Sequence, residues 1–372
     1  MPALGSSLAP PLAARRRERR GIALLIVLSI IVLLSTMAYS FHDLVSSNLA
    51  IARKDVDRFR SLQLARAGLN LALTLVKLDP QFASGAYTFL PDPAYQARQA
   101  QAGADLNKLE QVYMMLRASE ESGMPLENGS VAVIIRDEGA RLNVNACAGI
   151  PEGAGYLQNL FRVCNVRKRK KLLFSDTAAA DDVSQQLTNA VLDWIDSDSN
   201  ARSEGAESSW YGSQTPRYRP RNGFLESIDE LMLVRHMDRS IMDGVKGDDH
   251  DPGSLGIREF LTVYGNNPAV NVNTAEPVAL KAIPGIFESQ NRETIVAKLI
   301  SNRPIRDAGT LNSLLAETDS TAQTRATRFM TLRSNMLRLK VTAHLGSYDG
   351  MVETVIVRDP AGFIRTLYWK EQ

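Results

Sequence analysis

Residues 22–38 read IALLIVLSIIVLLSTMA, and the uncharged run continues through Tyr39 to Phe41. About 20 apolar residues are enough for a helix to cross a hydrocarbon core about 30 Å thick. A removable secretory signal has a shorter apolar core, closed by a small-x-small cleavage site. Here the helical pattern runs on instead. Leu44, Leu49, Ile51, Val56, Phe59, Leu62, Ala65, Leu69, Ala72, Leu73 and Val76 keep helical spacing, with no glycine before Gly68 and no proline before Pro80. The spacing predicts one helix from Ile22 to about Leu78, ~85 Å long at ~1.5 Å per residue. Its first part is apolar all round. Its second part is amphipathic, with Arg53, Lys54, Asp55, Asp57, Arg58 and Arg60 on the wet side.

Charge is distributed unevenly. The chain of 372 residues carries 43 basic and 41 acidic side chains, but residues 1–21 alone hold five arginines against Glu18. That basic leader places residues 1–21 in the cytoplasm and the bulk of the chain on the other side. The remainder is slightly acidic and unsuited to neutralising many phosphates. Cys147 and Cys164 are too few for a zinc ribbon, and four scattered histidines leave little material for a His-based metal site or a triad. In an oxidising compartment the two cysteines form either a disulfide across a short loop, worth roughly 3 kcal/mol, or two reduced buried thiols.

Past the helix, residues 80–127 are mixed and polar, read as loops with one helix. Ser130–Arg136 is β-branched and apolar, followed by a turn-like Asp-Glu-Gly-Ala and then Arg141–Asn145, which predicts a hairpin. Three more strands are expected at Met336–Leu345, Met351–Val357 and Phe363–Trp369, separated by glycine- and proline-bearing turns. Between the strand groups the periodicity is helical, at Ser184–Ile195, Ser227–Val234, Pro277–Ala282, Glu293–Asn302 and Gly309–Ala316. The fold class expected is therefore α+β, with a helical block inserted into one antiparallel sheet.

Two segments carry candidate chemistry. Asp193, Asp196, Asp198, Asn200, Glu204 and Glu207 lie within 15 residues. Four of them match an EF-hand count, but Ala201 stands where that loop needs glycine, so an irregular carboxylate loop is expected. A solvated acidic turn is the plain alternative. Val270–Ile286 is similar to the first half of a helix-hairpin-helix element. Its turn, Gly285-Ile286-Phe287, lacks the second glycine that lets a backbone approach a phosphate. The basic run Arg167–Lys171 reads as a solvated loop.

A basic leader ending in Gly21, followed by an apolar helix that becomes amphipathic, resembles the type IV pilin and type II secretion pseudopilin class. The DEGARLNVN, DWIDSDSN…EGAE and VNVNTAEPVALKAIPGI segments and the terminal hairpins, in that order, narrow the resemblance to the K-type minor pseudopilins. The resemblance implies cleavage by a prepilin peptidase between Gly21 and Ile22, with methylation of the Ile22 amine. It implies a transmembrane helix at 22–42 continuing outside the membrane at 43–79. A pilin-like sheet domain split between 80–146 and 332–372 is expected to enclose a helical domain at 147–331. Most pseudopilins have a glutamate five residues after the cut; Ile26 stands here. A carboxylate buried in lipid needs a partner, and the subunit at a filament tip has none above it. The K-type family carries Ca²⁺ in a segment matched by Asp193-Trp194-Ile195-Asp196 and Gly205-Ala206-Glu207, so a structural Ca²⁺ is expected on the acidic loop. Ser208 and Ser209 depart from the family's acidic pattern there.

The expected role is a non-enzymatic minor pseudopilin of the inner membrane, with its bulk periplasmic, that caps the pseudopilus and initiates its assembly. Expected partners are other minor pseudopilins and the major pseudopilin through the N-terminal helix, the inner-membrane assembly platform and the prepilin peptidase, with no nucleic acid. A membrane-tethered DNA receptor and a metal-dependent hydrolase are the alternatives.

Overall fold

The computed structural model describes residues 13–78, 119–120, 123–126, 129–164, 177–247, 253–346, 348–359 and 361–372. The expected loops and helix of 80–127 and the basic run 167–171 lie largely or wholly outside these residues.

Helix α1 spans Ala13–Leu78 without interruption. It ends where the periodicity predicts, two residues before Pro80, and it begins inside the leader. From Ile22 to Val56 every side chain is exposed. From Ser61 onward one face is buried, led by Ala65, Leu69, Ala72 and Val76 at helical spacing.

That face rests on a five-stranded antiparallel sheet formed by β1 (Met124–Leu126), β2 (Gly129–Asp137), β3 (Met336–Leu345), β4 (Tyr348–Arg358) and β5 (Ile364–Glu371), which lie side by side in chain order. β3 alternates buried and accessible residues, so Leu337, Leu339, Val341 and Ala343 meet α1 together with Val131, Val133 and Ile135 of β2. Helix and sheet approach closely at Gly350. A Cβ there would stand 2.4 Å from the Ser61 carbonyl carbon and 2.5 Å from the Leu62 nitrogen. Arg66 closes the far edge with a two-pronged pair to Glu371 at 2.7 and 2.9 Å.

Between β2 and β3 the chain departs into a helical domain and returns. Asp137 stands opposite Leu337, so the chain leaves and returns at the same rung of one ladder. The larger core of the molecule lies in this insertion, around helices α2 (Pro151–Val163), α3 (Thr177–Ile195), α4 (Pro277–Ala282), α5 (Arg292–Ser301), α6 (Ala308–Leu314) and α7 (Ser320–Arg328).

One expectation is corrected here, and one alternative left open is decided. The hairpin expected after Ser130–Arg136 does not form. Glu138–Ala140 is a 3-10 turn capped by Asp137, and Leu142–Asn143 pairs in parallel with Leu261–Thr262 inside the insertion. The asparagines of RLNVN decide this. Asn143 caps the helical turn Val144–Cys147 and donates to the Tyr264 carbonyl at 2.8 Å, while Asn145 donates to the Leu225 and Val263 carbonyls. The sheet domain therefore ends at Asp137 rather than near residue 146. The echoing segment Val270–Asn271 pairs in parallel with Met330–Thr331 and likewise leads into a helical unit.

The disulfide between Cys147 and Cys164 is not formed; both thiols are free and buried. Cys147 packs against Gly153, where an added Cβ would lie 2.8 Å from the Cys147 Cα. Cys164 caps the opposite end of α2. Eleven residues of helix, about 16 Å, separate the two positions, whereas a disulfide needs Cα atoms within about 7 Å.

Candidate functional site

α3 carries the acidic segment on its last turn. Trp194 and Ile195 are buried in the insertion core, and Trp194 meets the Tyr211 ring edge-on at 5.0 Å, with Tyr218 beyond it. This aromatic wall holds the start of the acidic loop. Asp193 is fully buried and organises the loop. Its carboxylate accepts from the Ala206 amide at 2.9 Å, the Arg202 amide at 3.1 Å and the Arg202 guanidinium at 2.6 Å. Burial raises its pKa, against the pull of those donors. Gly205 backs directly onto it, since a Cβ there would fall 1.9 Å from Oδ2.

The six predicted residues separate into two sets. Asp196, Asp198 and Glu207 converge, each offering a carboxylate oxygen within 4.8 Å of the others. Asp193, Asn200 and Glu204 are used otherwise. Asn200 gives its backbone amide to Asp198 Oδ1 at 2.7 Å. Glu204 has φ 58°, pairs with Arg235 at 3.3 Å and offers its carbonyl to His236 Nε2.

The converging set suits a hard cation. Asp196 Oδ1 and both carboxylate oxygens of Glu207 are buried without a hydrogen-bond partner, although the guanidinium of Arg202 reaches Asp196 Oδ2. Burial first, and then repulsion from Asp193, Asp196 and Asp198, raises the Glu207 carboxyl. Unpartnered buried carboxylate oxygens are costly, and a cation with an oxygen-only ligand preference would satisfy all of them at once. Asn222 belongs to the same corner. It donates to the Asp198 carbonyl at 2.8 Å, and its own Oδ1 is buried without a partner. Sequence reasoning missed it, 15 residues beyond Glu207. The one signal available was a residue type that tolerates the left-handed backbone it adopts, φ 45°.

The helix-hairpin-helix-like segment is built for packing. Gly285 lies under α7, where a Cβ would stand 2.1 Å from the Ala322 carbonyl oxygen, and Ile286 is fully buried. The Gly285 amide donates to the Glu288 carboxylate, so the turn presents an acid where a phosphate-binding version presents open amides.

α1 is the second functional element. Among the described residues it is the one helix long and apolar enough to cross a membrane. Gly21 and Ile22 lie within its first turns, with Ile22 exposed.

A family model for type II secretion system (T2SS), protein K, matches residues 140–246, a span that contains the whole acidic loop. The chain is 23% identical over 232 residues to a type II secretion system protein K of Pectobacterium carotovorum, a match covering 60% of this chain and 65% of that one, just under two thirds of its length. It is 24% identical over 282 residues to the protein of that name from Klebsiella pneumoniae, covering 73% and 72%. In three dimensions it superposes on a chain of the GspK-GspI-GspJ complex from enterotoxigenic Escherichia coli with a TM-score of 0.59 at 18% identity, covering 86% of this chain and 99% of the other. The family model lies on the acidic loop, the relatives share one name, and a chain of the solved complex shares the fold, so what this chain is similar to, in sequence and in fold, is the type II secretion system protein K family.

Proposed function

We propose that this minor pseudopilin caps the tip of the pseudopilus and initiates its assembly, for export of folded proteins across the outer membrane. The observation that carries the reading is the division of α1. Its first half exposes every apolar side chain, and its second half is fastened to the sheet by Ala65, Leu69, Ala72 and Val76. A helix with an uncovered apolar half has to find lipid or other helices. The insertion between β2 and β3 adds a second core larger than that of the sheet domain, giving a head too wide to be buried along a shaft.

In this reading the prepilin peptidase cuts between Gly21 and Ile22, the new Ile22 amine is methylated, and the helix is retained. The bulk lies in the periplasm and residues 1–21 face the cytoplasm. α1 contacts other minor pseudopilins, the major pseudopilin and the inner-membrane assembly platform. The chain carries out no catalysis. A solved relative assembled with GspI and GspJ supports the choice of partners. Mass spectrometry of the mature protein should find methylated Ile22 as the first residue. A species processed by ordinary signal peptidase, or pseudopili of normal number in cells lacking the protein, would overturn the reading.

We further propose that Asp196, Asp198 and Glu207 hold a structural Ca²⁺, with Asn222 beside them. The ion would supply the positive charge that lets three carboxylates share a corner, and its binding free energy would add to folding. Tb³⁺ is a suitable probe, because Trp194, Trp210 and Tyr211 lie beside the loop. Sensitised Tb³⁺ emission, displaced by Ca²⁺ and lost in Glu207→Gln, is expected. Emission that survives in both Glu207→Gln and Asp198→Asn would sink the assignment.

A further inference from the structure

β5 is the outer strand of the sheet. Met351 and Gln372 exchange both backbone bonds at 2.9 Å. Opposed pairs in an antiparallel ladder alternate between bonded and non-bonded. With Glu371 opposite Val352, Lys370 opposite Glu353 and Trp369 opposite Thr354, the backbones of Trp369 and Glu371 therefore turn away from β4. Among the described residues, neither has a backbone partner on that outer side. Such an edge is a template for another strand.

The two faces beside this edge differ. On the face turned from α1, Tyr368 and Lys370 line a cleft of about 420 Å³ between the sheet and the insertion. Its arginines are already paired, Arg136 with Glu120, Arg141 with Glu259, Arg258 with Asp229 and Asp243, and Arg338 with Glu138 and Glu353, so Lys340 and Lys370 are the cations of the lining that remain. Glu353 is held by Arg338 at 2.6 Å and stands between Lys340 and Lys370 on the neighbouring strands. Both lysines are exposed, and neither has an ion pair among the described residues. On the opposite face Trp369 is half exposed.

We propose that this edge is a strand-addition site for an extended acidic segment of a partner protein. The segment hydrogen-bonds along the Trp369–Glu371 edge, directs carboxylates into the cleft to Lys370 on the edge strand, with Lys340 two strands further in adding to the field, and lays its alternate, apolar side chains against Trp369. The open ladder supplies affinity, while the two lysines and the alternation of faces select the sequence.

The test uses full-length protein in detergent micelles and a fluorescein-labelled octapeptide alternating glutamate and valine. Saturable binding is expected, weakened at least tenfold in K340E/K370E and at least threefold in Trp369→Ala. The same peptide N-methylated at every residue, and a lysine–valine peptide, should not bind. K340Q/K370Q, which removes charge without reversing it, should give an intermediate loss while its circular dichroism and melting temperature match those of the wild type. The proposal fails if the glutamate–valine peptide does not bind, if the lysine variants bind it as the wild type does, or if the N-methylated peptide binds equally. Displacement of the peptide by phosphatidylglycerol vesicles, with no loss on N-methylation, would assign the cleft to a lipid headgroup and overturn it.

Discussion

Glu138 and Arg338, 200 positions apart, form a two-pronged ion pair at 2.7 and 2.8 Å where the insertion leaves the sheet. Glu138 is fully buried and also accepts from Thr262 at 2.6 Å, while Arg338 extends a third bond to Glu353. Beside it, Asp137 accepts from Asn271 and Thr274 of the insertion at 2.8 and 2.6 Å. The entry to the inserted domain is thus tied to that domain by side chains as well as by the chain itself.

Breaking this pair from one side leaves a charge with its main partner gone. Glu138→Ala should cost about 3–5 kcal/mol, the range for removing one member of a buried pair, read as a fall in urea midpoint. Arg338→Lys should cost less but still measurably, since an ammonium cannot make the parallel pair of bonds. Acid should act through the same group. Burial raises the Glu138 carboxyl, but Arg338 and Arg141 outweigh it and hold it below the usual value. Its contribution is present above the unfolded carboxylate value, about 4.3, and is lost as pH falls through the lower folded one. The stability gap between wild type and Glu138→Gln should therefore narrow between pH 6 and pH 3. Asp137 has the opposite sign. Burial raises it above its unfolded value, so its contribution is present at low pH and is lost as pH rises through the folded value. This partly offsets the acid sensitivity of wild type.

Gly205→Ala should disrupt the acidic loop, because the new methyl carbon would stand 1.9 Å from Asp193 Oδ2. A loss of about 1–3 kcal/mol is expected from the forced shift, together with weaker Tb³⁺ emission. Gly212→Ala, a few residues on with nothing within 4 Å of its new methyl group, is the matched control and should leave both unchanged.

Gly350→Val should lift α1 from the sheet, since its Cβ would meet the backbone of Ser61 and Leu62 rather than a movable side chain. The expected penalty again exceeds about 1 kcal/mol. Faster hydrogen exchange should appear in Ala65–Val76 and leave the insertion core protected.

The two thiols should be inert in the native protein. Burial pushes Cys164 up to about 12 and Cys147 further still, which suppresses the reactive thiolate. Iodoacetamide should modify both only in denaturant, and dithiothreitol should leave the melting temperature unchanged. A native protein that loses two mass units' worth of thiol hydrogen would contradict this.

The sequence by itself determined the elements whose register is local. The α1 stop before Pro80, the three terminal strands and α4 at Pro277–Ala282 follow from apolar spacing and from proline and glycine, all of which act within a few residues. Tertiary structure decided where RLNVN goes, because its asparagines satisfy carbonyls about 80 to 120 residues away and so override a locally plausible turn. It also decided how each acid of the loop is engaged. Asp193 and Glu204 have the same charge as Asp198, but Arg202 and Arg235 engage them; Arg202 also takes Asp196 Oδ2 and leaves its Oδ1 open, and Glu207 faces the corner where Gly205 lets the chain pass across Asp193. Spacing along a chain counts carboxylates; only the packing of distant backbone and guanidinium groups determines which of them remain unsatisfied.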